Sequence, residues 1–414
     1  MMNNPPVSES NESCNAARSG LNWMILALLL AFPSTGVFQK YTGLMGVAGY
    51  VASVCVVCYS IWIFGYRMAP MLRRYFHGLS LLVLAGLAII FVFIYPIENS
   101  KGLGHSSDRD DGLNLAVARM ADGQSPYYPT DKFAGPLSVL PGGIVLSAPF
   151  VALGNSAYQN LFWLTAFLFA ACWMFRDRAL ALVILSVPLA LSPAAQYEYI
   201  SGGDLIANGI YVALFFLLAL KLWTNPKASA WLRWLSCVLL GLGLASRPNF
   251  LLLLPLLGAV LWRTVGFRQA LASSGFVALV SASITVLIYL YDPAGFTPFH
   301  AKQKLSIVDH ALPWAGHAII WASALAGVIG AFALLLLPST DLTRSFFRWC
   351  TLVTLCPMVC IVALSSVIHQ RLDFTFMHDR FGLMYVFFAL FGWGGSMLGD
   401  SESRVVAAET EPQS

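Results

Sequence analysis

Three aspartates lie within four positions of the chain: Asp108, Asp110 and Asp111. An acid at the start of a helix stabilises the unpaired N–H groups there, and capping of this kind accounts for one of the three. Like charges packed this closely repel one another, so capping alone does not explain the cluster. The functional hypothesis is a carboxylate that acts as a general base or binds a cation.

Cations that could bind a phosphate lie in other short polar segments. Arg247 stands in Ala-Ser-Arg-Pro-Asn between two apolar runs. It either extends from a helix end towards water or serves as a bidentate phosphate ligand. Other ionisable residues of the predicted outer loops are Arg380, Lys302, Lys304, His378, His310 and Asp204. Arg380 could anchor a span at the membrane interface, and a solvated loop face is the default interpretation of Lys302 and Lys304. Asp204 could equally cap the helix that follows it.

The histidines lack metal-ligand spacing such as HExxH, so we predict no metal site built on them. The three clustered acids could nevertheless hold a divalent cation. The formal net charge of +4 comes without a basic cluster, which argues against nucleic acid as a partner.

The elements that position these residues follow from composition. Of the 414 residues, 58% are hydrophobic and 11% are charged, whereas soluble domains carry about 25% charged residues. A helix crosses a bilayer in roughly 20 apolar residues. Such runs predict an all-α, polytopic bundle of about twelve spans, at 21–38, 41–66, 78–97, 158–175, 179–193, 205–220, 232–245, 250–262, 270–290, 313–337, 349–368 and 381–398.

The distribution of basic residues predicts the orientation. The short connection 66–77 contains Arg67, Arg73 and Arg74, and cytoplasmic loops collect Lys and Arg. With that connection inside, most other basic residues also fall inside, and most acids fall outside. The aspartate cluster then lies in the first long outer loop, about residues 98–155.

That outer loop contains two apolar segments. Leu113, Val117 and Met120 recur at helical spacing, so 111–121 predicts a short amphipathic helix at the membrane interface. The segment 137–153 is uncharged and could itself cross the membrane, but its prolines favour a short or re-entrant helix buried against protein.

No Walker A loop, GxGxxG before a strand or GxSxG elbow occurs, and the cytoplasmic loops are too short for a nucleotide-binding domain. Any group transfer must therefore use a donor that reaches the outer surface by another route. A lipid-linked donor satisfies that condition.

Several motifs occur in an order that resembles the GT-C superfamily of membrane glycosyltransferases, over roughly residues 78–398. The resemblance is greatest to the bacterial branch that uses polyprenyl-phosphate-mannose. Its elements are an acid-containing start of the first outer loop, a later Asp-Gly-Gln-Ser-Pro-Tyr at 122–127, a proline-rich apolar stretch, Gly202-Gly203-Asp204, and Gly-Leu-Gly-Leu-Ala-Ser-Arg-Pro at 241–248. Here Arg247 stands where the family has lysine.

The resemblance implies a mechanism. The family's catalytic aspartate falls on Asp110 or Asp111, with Asp108 also compatible in spacing. It would take the proton of the acceptor hydroxyl as that oxygen attacks the anomeric carbon. Arg247, followed by Arg380, Lys302 and Lys304, would stabilise the leaving polyprenyl phosphate. His378, His310 and Asp204 would be supporting residues. The sugar would be a hexose, with mannose favoured, and the acceptor a lipid or glycan in contact with membrane lipid.

The resemblance also implies an organisation: a disordered cytoplasmic tail (1–20), an added transmembrane hairpin (21–77), a GT-C-like catalytic domain (78–398) and a second disordered cytoplasmic tail (399–414). We expect a multi-pass protein of a bacterial inner membrane with its active site on the periplasmic side. Two alternatives stay open: a glycan polymerase or ligase of the cell envelope, and a lipid or solute transporter. A transporter should place ionisable residues at mid-membrane, and the predicted spans are almost free of them.

Overall fold

The computed structural model of the protein describes residues 9–100, 108–128, 136–300, 313–339 and 341–398. This part of the chain contains only helices and their connections, with no β-strand. Its α-helices are α1 (Glu9–Ala31), α2 (Thr35–Arg74), α3 (Phe76–Glu98), α4 (Arg109–Ala121), α5 (Pro141–Ala152), α6 (Gln159–Phe175), α7 (Arg178–Leu191), α8 (Pro193–Ile200), α9 (Leu205–Thr224), α10 (Ala230–Leu244), α11 (Leu254–Val265), α12 (Phe267–Tyr291), α13 (Ala315–Leu336), α14 (Leu342–Ile368) and α15 (Leu383–Trp393).

Within the described residues, eight helical stretches are long and apolar enough to cross a membrane. A ninth arises if α7 and α8, which meet at a bend of 88°, are taken as one broken span. The protein is therefore an all-α polytopic membrane protein, and the count of twelve spans stays a prediction. Two of the predicted spans, 232–245 and 381–398, coincide with helices of only 15 and 11 residues.

The stretch Gly20–Arg74 is helical except for a break at Gly43. Gly43 has φ 70°, a left-handed conformation that glycine adopts without a steric penalty. The ring of Trp23 lies 5.1 Å from that of Tyr59 and 6.2 Å from that of Trp62. Residues so far apart in sequence meet only if the two halves pack side by side.

The centre of the bundle is formed by α9 and α15. Every residue of α15 is buried, and 78% of the most apolar window of α9 is buried. A Cβ at Gly209 would lie 3.0 Å from the carbonyl oxygen of Met384, so glycine permits close contact between the two backbones. An apolar helix as short as α15 is tolerated here because protein surrounds it.

Other helices present apolar side chains outwards. Only 11% of the most apolar window of α3 and 17% of that of α12 are buried. Leu81, Leu82 and Phe93 of α3 are each exposed by about two thirds. Exposed apolar surface of this extent is what lipid contact requires.

The connection between α3 and α6 contains two helices, α4 and α5. The α4 helix begins two residues earlier than predicted, so that Asp110 and Asp111 lie in its first turn. Leu113 and Ala116 of α4 pack against the segment that leads into α5. The α5 helix has 12 residues, fewer than the roughly 20 that a span needs, and its N-terminal glycines pack against the break between α10 and α11.

Candidate active site

Asp110 is the most deeply buried member of the aspartate cluster, with no exposed surface. The Tyr95 hydroxyl donates to its Oδ2 in a short hydrogen bond. The side-chain amide of Asn99 donates to the same oxygen at 3.2 Å. Tyr95 and Asn99 are four residues apart at the end of α3, so both face the start of α4.

The Tyr95 hydroxyl is itself held by two amides. Asn99 Nδ2 donates to it at 3.0 Å and Asn155 Nδ2 at 2.7 Å. Because both amides donate to its oxygen, its single proton is directed at Asp110. Asn155 is fixed in turn, since its Oδ1 accepts from the N–H of Ala157 at 2.8 Å. Two segments of the chain, 95–99 and 155–157, thus orient the carboxylate of Asp110.

The other carboxylate oxygen of Asp110, Oδ1, has no hydrogen-bond partner among the described residues. A buried carboxylate oxygen without a donor is energetically costly. Burial raises the pKa of Asp110 to about 6, and the charge of Asp111 adds to the increase, whereas the Tyr95 hydrogen bond and the backbone N–H groups of Asp110 and Asp111 lower the pKa. A carboxyl with a pKa near neutral is suited to proton transfer.

Gly202 lies directly beside this carboxylate. A Cβ there would be 2.7 Å from Cε2 of Tyr95, 2.9 Å from Cβ of Ala157 and 3.2 Å from Cγ of Asp110. Its φ of +71° is also one that other residues rarely adopt. The neighbouring Gly203 likewise leaves no room for a Cβ beside the carboxylate of Glu198. The two glycines therefore let one loop pass over both acids.

Glu198 is fully buried and is contacted by two guanidinium groups. Arg380 Nη1 lies 2.9 Å from its Oε2, and Arg109 Nη1 lies 3.2 Å from the same oxygen. The N–H of Leu205 donates to Oε1 at 2.8 Å, which ties the acid to the start of α9. Arg380 also donates to the Ser201 hydroxyl at 3.0 Å. Two positive side chains therefore meet at one acid next to Asp110.

Arg247 forms a buried ion pair with Asp204. It also donates from Nη1 to the Ser138 hydroxyl at 2.9 Å, and Asn208 donates to Asp204 at 2.8 Å. Burial by itself would raise the pKa of Asp204, but the charges of Arg247 and Arg109 hold it below its ordinary value. The pair connects the start of α9 to the break between α10 and α11, so Arg247 has a structural partner that the sequence did not indicate.

The structure describes some of the other predicted site residues but not all of them. Asp108 occupies the N-cap position of α4 without a side-chain cap bond, and Asp204 does the same on α9. Asp108 and Asp111 are both partly exposed. Lys302, Lys304 and His310, and the side chain of His378, lie outside the described residues.

No group of three or more His, Cys, Asp or Glu side chains within the described ranges is placed to hold a metal ion. The residues that sequence reasoning did not select are Tyr95, Asn99, Arg109, Asn155 and Glu198. A signal for two of them exists, since Tyr95 and Asn99 are polar residues at i, i+4 spacing at the end of an apolar span.

The chain matches no protein-family model, and no curated protein or solved structure matches it significantly.

Proposed function

We propose that the protein is a membrane-embedded glycosyltransferase that moves a hexose from a polyprenyl phosphate to a lipid or glycan acceptor. The observation that carries the proposal is Asp110: a buried carboxylate with a pKa raised to about 6, one oxygen held by Tyr95, and the other oxygen without a partner among the described residues. The ordered motifs of the sequence support the same reaction class.

In this reaction Oδ1 of Asp110 accepts the proton of the acceptor hydroxyl. That hydroxyl oxygen bonds to the anomeric carbon as the bond from this carbon to the phosphate oxygen breaks, and polyprenyl phosphate leaves with the electron pair. Tyr95 and Asn99 hold the carboxylate by its Oδ2, which leaves Oδ1 to accept the proton. Mannose is the sugar that the family resemblance favours.

The leaving phosphate requires fixed positive charge. Arg109 and Arg380 are the best placed cations beside Asp110 in the described structure, because both approach Glu198 next to it. Arg109 is 22% exposed and therefore accessible to a ligand. Arg247 is less suited than its sequence position indicates, since Asp204 already neutralises it. Lys302 and Lys304 stay candidates for the same role.

Access to Asp110 requires a movement of the protein, because its side chain has no exposed surface. The nearest segment without side chains is Gly202–Gly203. We expect this loop to open when the acceptor binds, which would place the acceptor hydroxyl at Oδ1 without loss of the Tyr95 contact.

The test is sugar transfer by the purified protein from a panel of radiolabelled polyprenyl-phosphate sugars to cell-envelope acceptors. Asp110→Asn should reduce transfer by roughly 10²–10⁴-fold, the typical contribution of a general base. Asp122→Asn is the matched control, since Asp122 is an exposed acid at the other end of α4. Wild-type turnover by Asp110→Asn would remove Asp110 from the mechanism.

A glycan polymerase or ligase is the second candidate, favoured by the two arginines at Glu198. Such an enzyme would depend on its outer arginines more than on Asp110. Retained activity in Asp110→Asn together with loss in Arg380→Gln would support this alternative over the first.

A further inference from the structure

The opposite end of the bundle contains a second cluster of functional groups, at the C-terminal end of α9 and the N-terminal ends of α10 and α12. Asp204 precedes α9 and Trp223 lies near its other end, and a 20-residue helix is about 30 Å long. This cluster is therefore separated from Asp110 by roughly the thickness of a hydrocarbon core.

An open surface cavity of about 310 Å³ lies there. It is lined by the indoles of Trp223 and Trp234, which pack at 90° with ring centroids 5.4 Å apart. Arg233 and Arg268 complete the lining, together with Ala230, Gln269 and Ala272. Tryptophan prefers the level of lipid head groups, where its ring is partly apolar and partly hydrated. The cavity thus combines an aromatic wall with two guanidinium groups.

The sequence around this cavity contains basic residues but no acidic residues. No Asp or Glu occurs from residue 205 to residue 291. Five basic residues of that stretch lie at or near this end of α9–α12: Lys221, Lys227, Arg233, Arg263 and Arg268. Neither Arg233 nor Arg268 forms an ion pair within the described ranges. Positive charge without an acidic partner attracts an anion.

Part of the Arg233 guanidinium group already makes contacts within the protein. Its Nη2 donates to the carbonyl oxygens of Asn225 and Pro226 at 2.8 and 3.3 Å, which holds the turn after α9. Its guanidinium lies over the ring of Trp223, 5.9 Å from the centroid, and its Nε is buried without a hydrogen-bond partner among the residues that the structure describes. The hydrogen bonds that hold the turn use only Nη2, so they do not explain why Nε is buried. Arg268 is exposed beside it and can reach the same ligand.

We propose that this cavity binds the phosphate head group of an anionic membrane phospholipid. The two guanidinium groups would contact phosphate oxygens, and the tryptophan walls would pack against the glycerol region. Basic pockets between transmembrane helices bind anionic head groups for the same electrostatic reason. The site is independent of the glycosyltransferase proposal, because it shares no residue with the Asp110 region.

The test uses the full-length protein in an uncharged detergent. Phosphatidylglycerol is titrated against thermal unfolding, with phosphatidylcholine of the same acyl chains and inorganic phosphate as separate probes. We expect saturable stabilisation by phosphatidylglycerol only. Equal stabilisation by phosphatidylcholine would show general lipid solvation, and equal stabilisation by inorganic phosphate would show a free-phosphate site; either result overturns the proposal.

Arg268→Gln is the principal variant, because its exposed side chain contributes no contact on which folding depends. Removal of one arginine contact should weaken phosphatidylglycerol binding roughly fivefold. Arg67→Gln is the matched control, since Arg67 is an exposed arginine outside the cavity. Arg233→Lys, which keeps the charge but loses the forked donors, should weaken binding as well. Unchanged affinity in both cavity variants would refute the assignment.

Discussion

Asp110→Asn should stabilise the protein while it reduces transfer by roughly 10²–10⁴-fold. Burial raises the pKa of Asp110 from 3.8 to about 6. Ionisation of this group at neutral pH therefore opposes folding by up to about 3 kcal/mol, since each pKa unit corresponds to about 1.4 kcal/mol. Asparagine has the same shape, can accept the Tyr95 hydrogen bond through its Oδ1, and carries no charge to desolvate.

The difference in stability between the wild type and Asp110→Asn should depend on pH. A carboxyl whose pKa is higher in the folded state contributes stability when it is protonated, below about pH 4, and loses it as the pH rises through about 6. The wild type should therefore lose stability relative to Asp110→Asn between these values. The difference should be greatest near pH 8 and absent at about pH 4.

The assay is chemical or thermal unfolding of both proteins in detergent across this pH range. Asp122→Asn serves as the control, because Asp122 is exposed and its replacement should leave the pH profile unchanged. If Asp110→Asn were less stable than the wild type near pH 8, the hydrogen bonds of Tyr95 and Asn99 would outweigh desolvation. That result would refute the view of Asp110 as a destabilised base.

Three further predictions concern the same region. Transfer by the wild type should fall as the pH drops through about 6, because protonation of Asp110 removes the base; a pH–rate profile flat to about pH 4 would contradict this. Gly202→Ala should destabilise the protein by more than the roughly 1 kcal/mol expected for Gly123→Ala, measured by unfolding, because both have positive φ but only Gly202 lacks space for a Cβ. Arg247→Met should lower the free energy of unfolding by roughly 3–5 kcal/mol, because it leaves Asp204 buried without its cation. The double variant Arg247→Met with Asp204→Asn should recover much of this stability. Equal stability of the single and double variants would exclude the ion pair as the cause.

The helical architecture was predictable because its cause is local. Apolar runs without charge can only be satisfied as buried or lipid-facing helices, and this holds for α3, α12 and α13 without reference to the rest of the chain. Local hydropathy does not determine the number of membrane spans. Hydropathy does not distinguish a span from a short helix buried by protein, and α10 and α15 have 15 and 11 residues.

The aspartate cluster was also visible in the sequence, but the choice among its members was not. Asp110 and Asp111 are adjacent and chemically identical, and they point in different directions from the first turn of α4. One is buried beside Tyr95 and the other is partly exposed. Only the packing of α3 and Gly202 around α4 separates them.

The sequence alone therefore determined which segments are helical, where polar chemistry is concentrated, and which residue types could perform it, since all three depend on neighbours along the chain. The tertiary structure decided the partners. Tyr95 orients Asp110, Arg247 is neutralised by Asp204 from 43 residues away, and Arg109 meets Arg380 at Glu198. Contacts of this kind depend on how helices cross and how closely glycines let them approach. Neither can be derived from hydropathy or residue spacing.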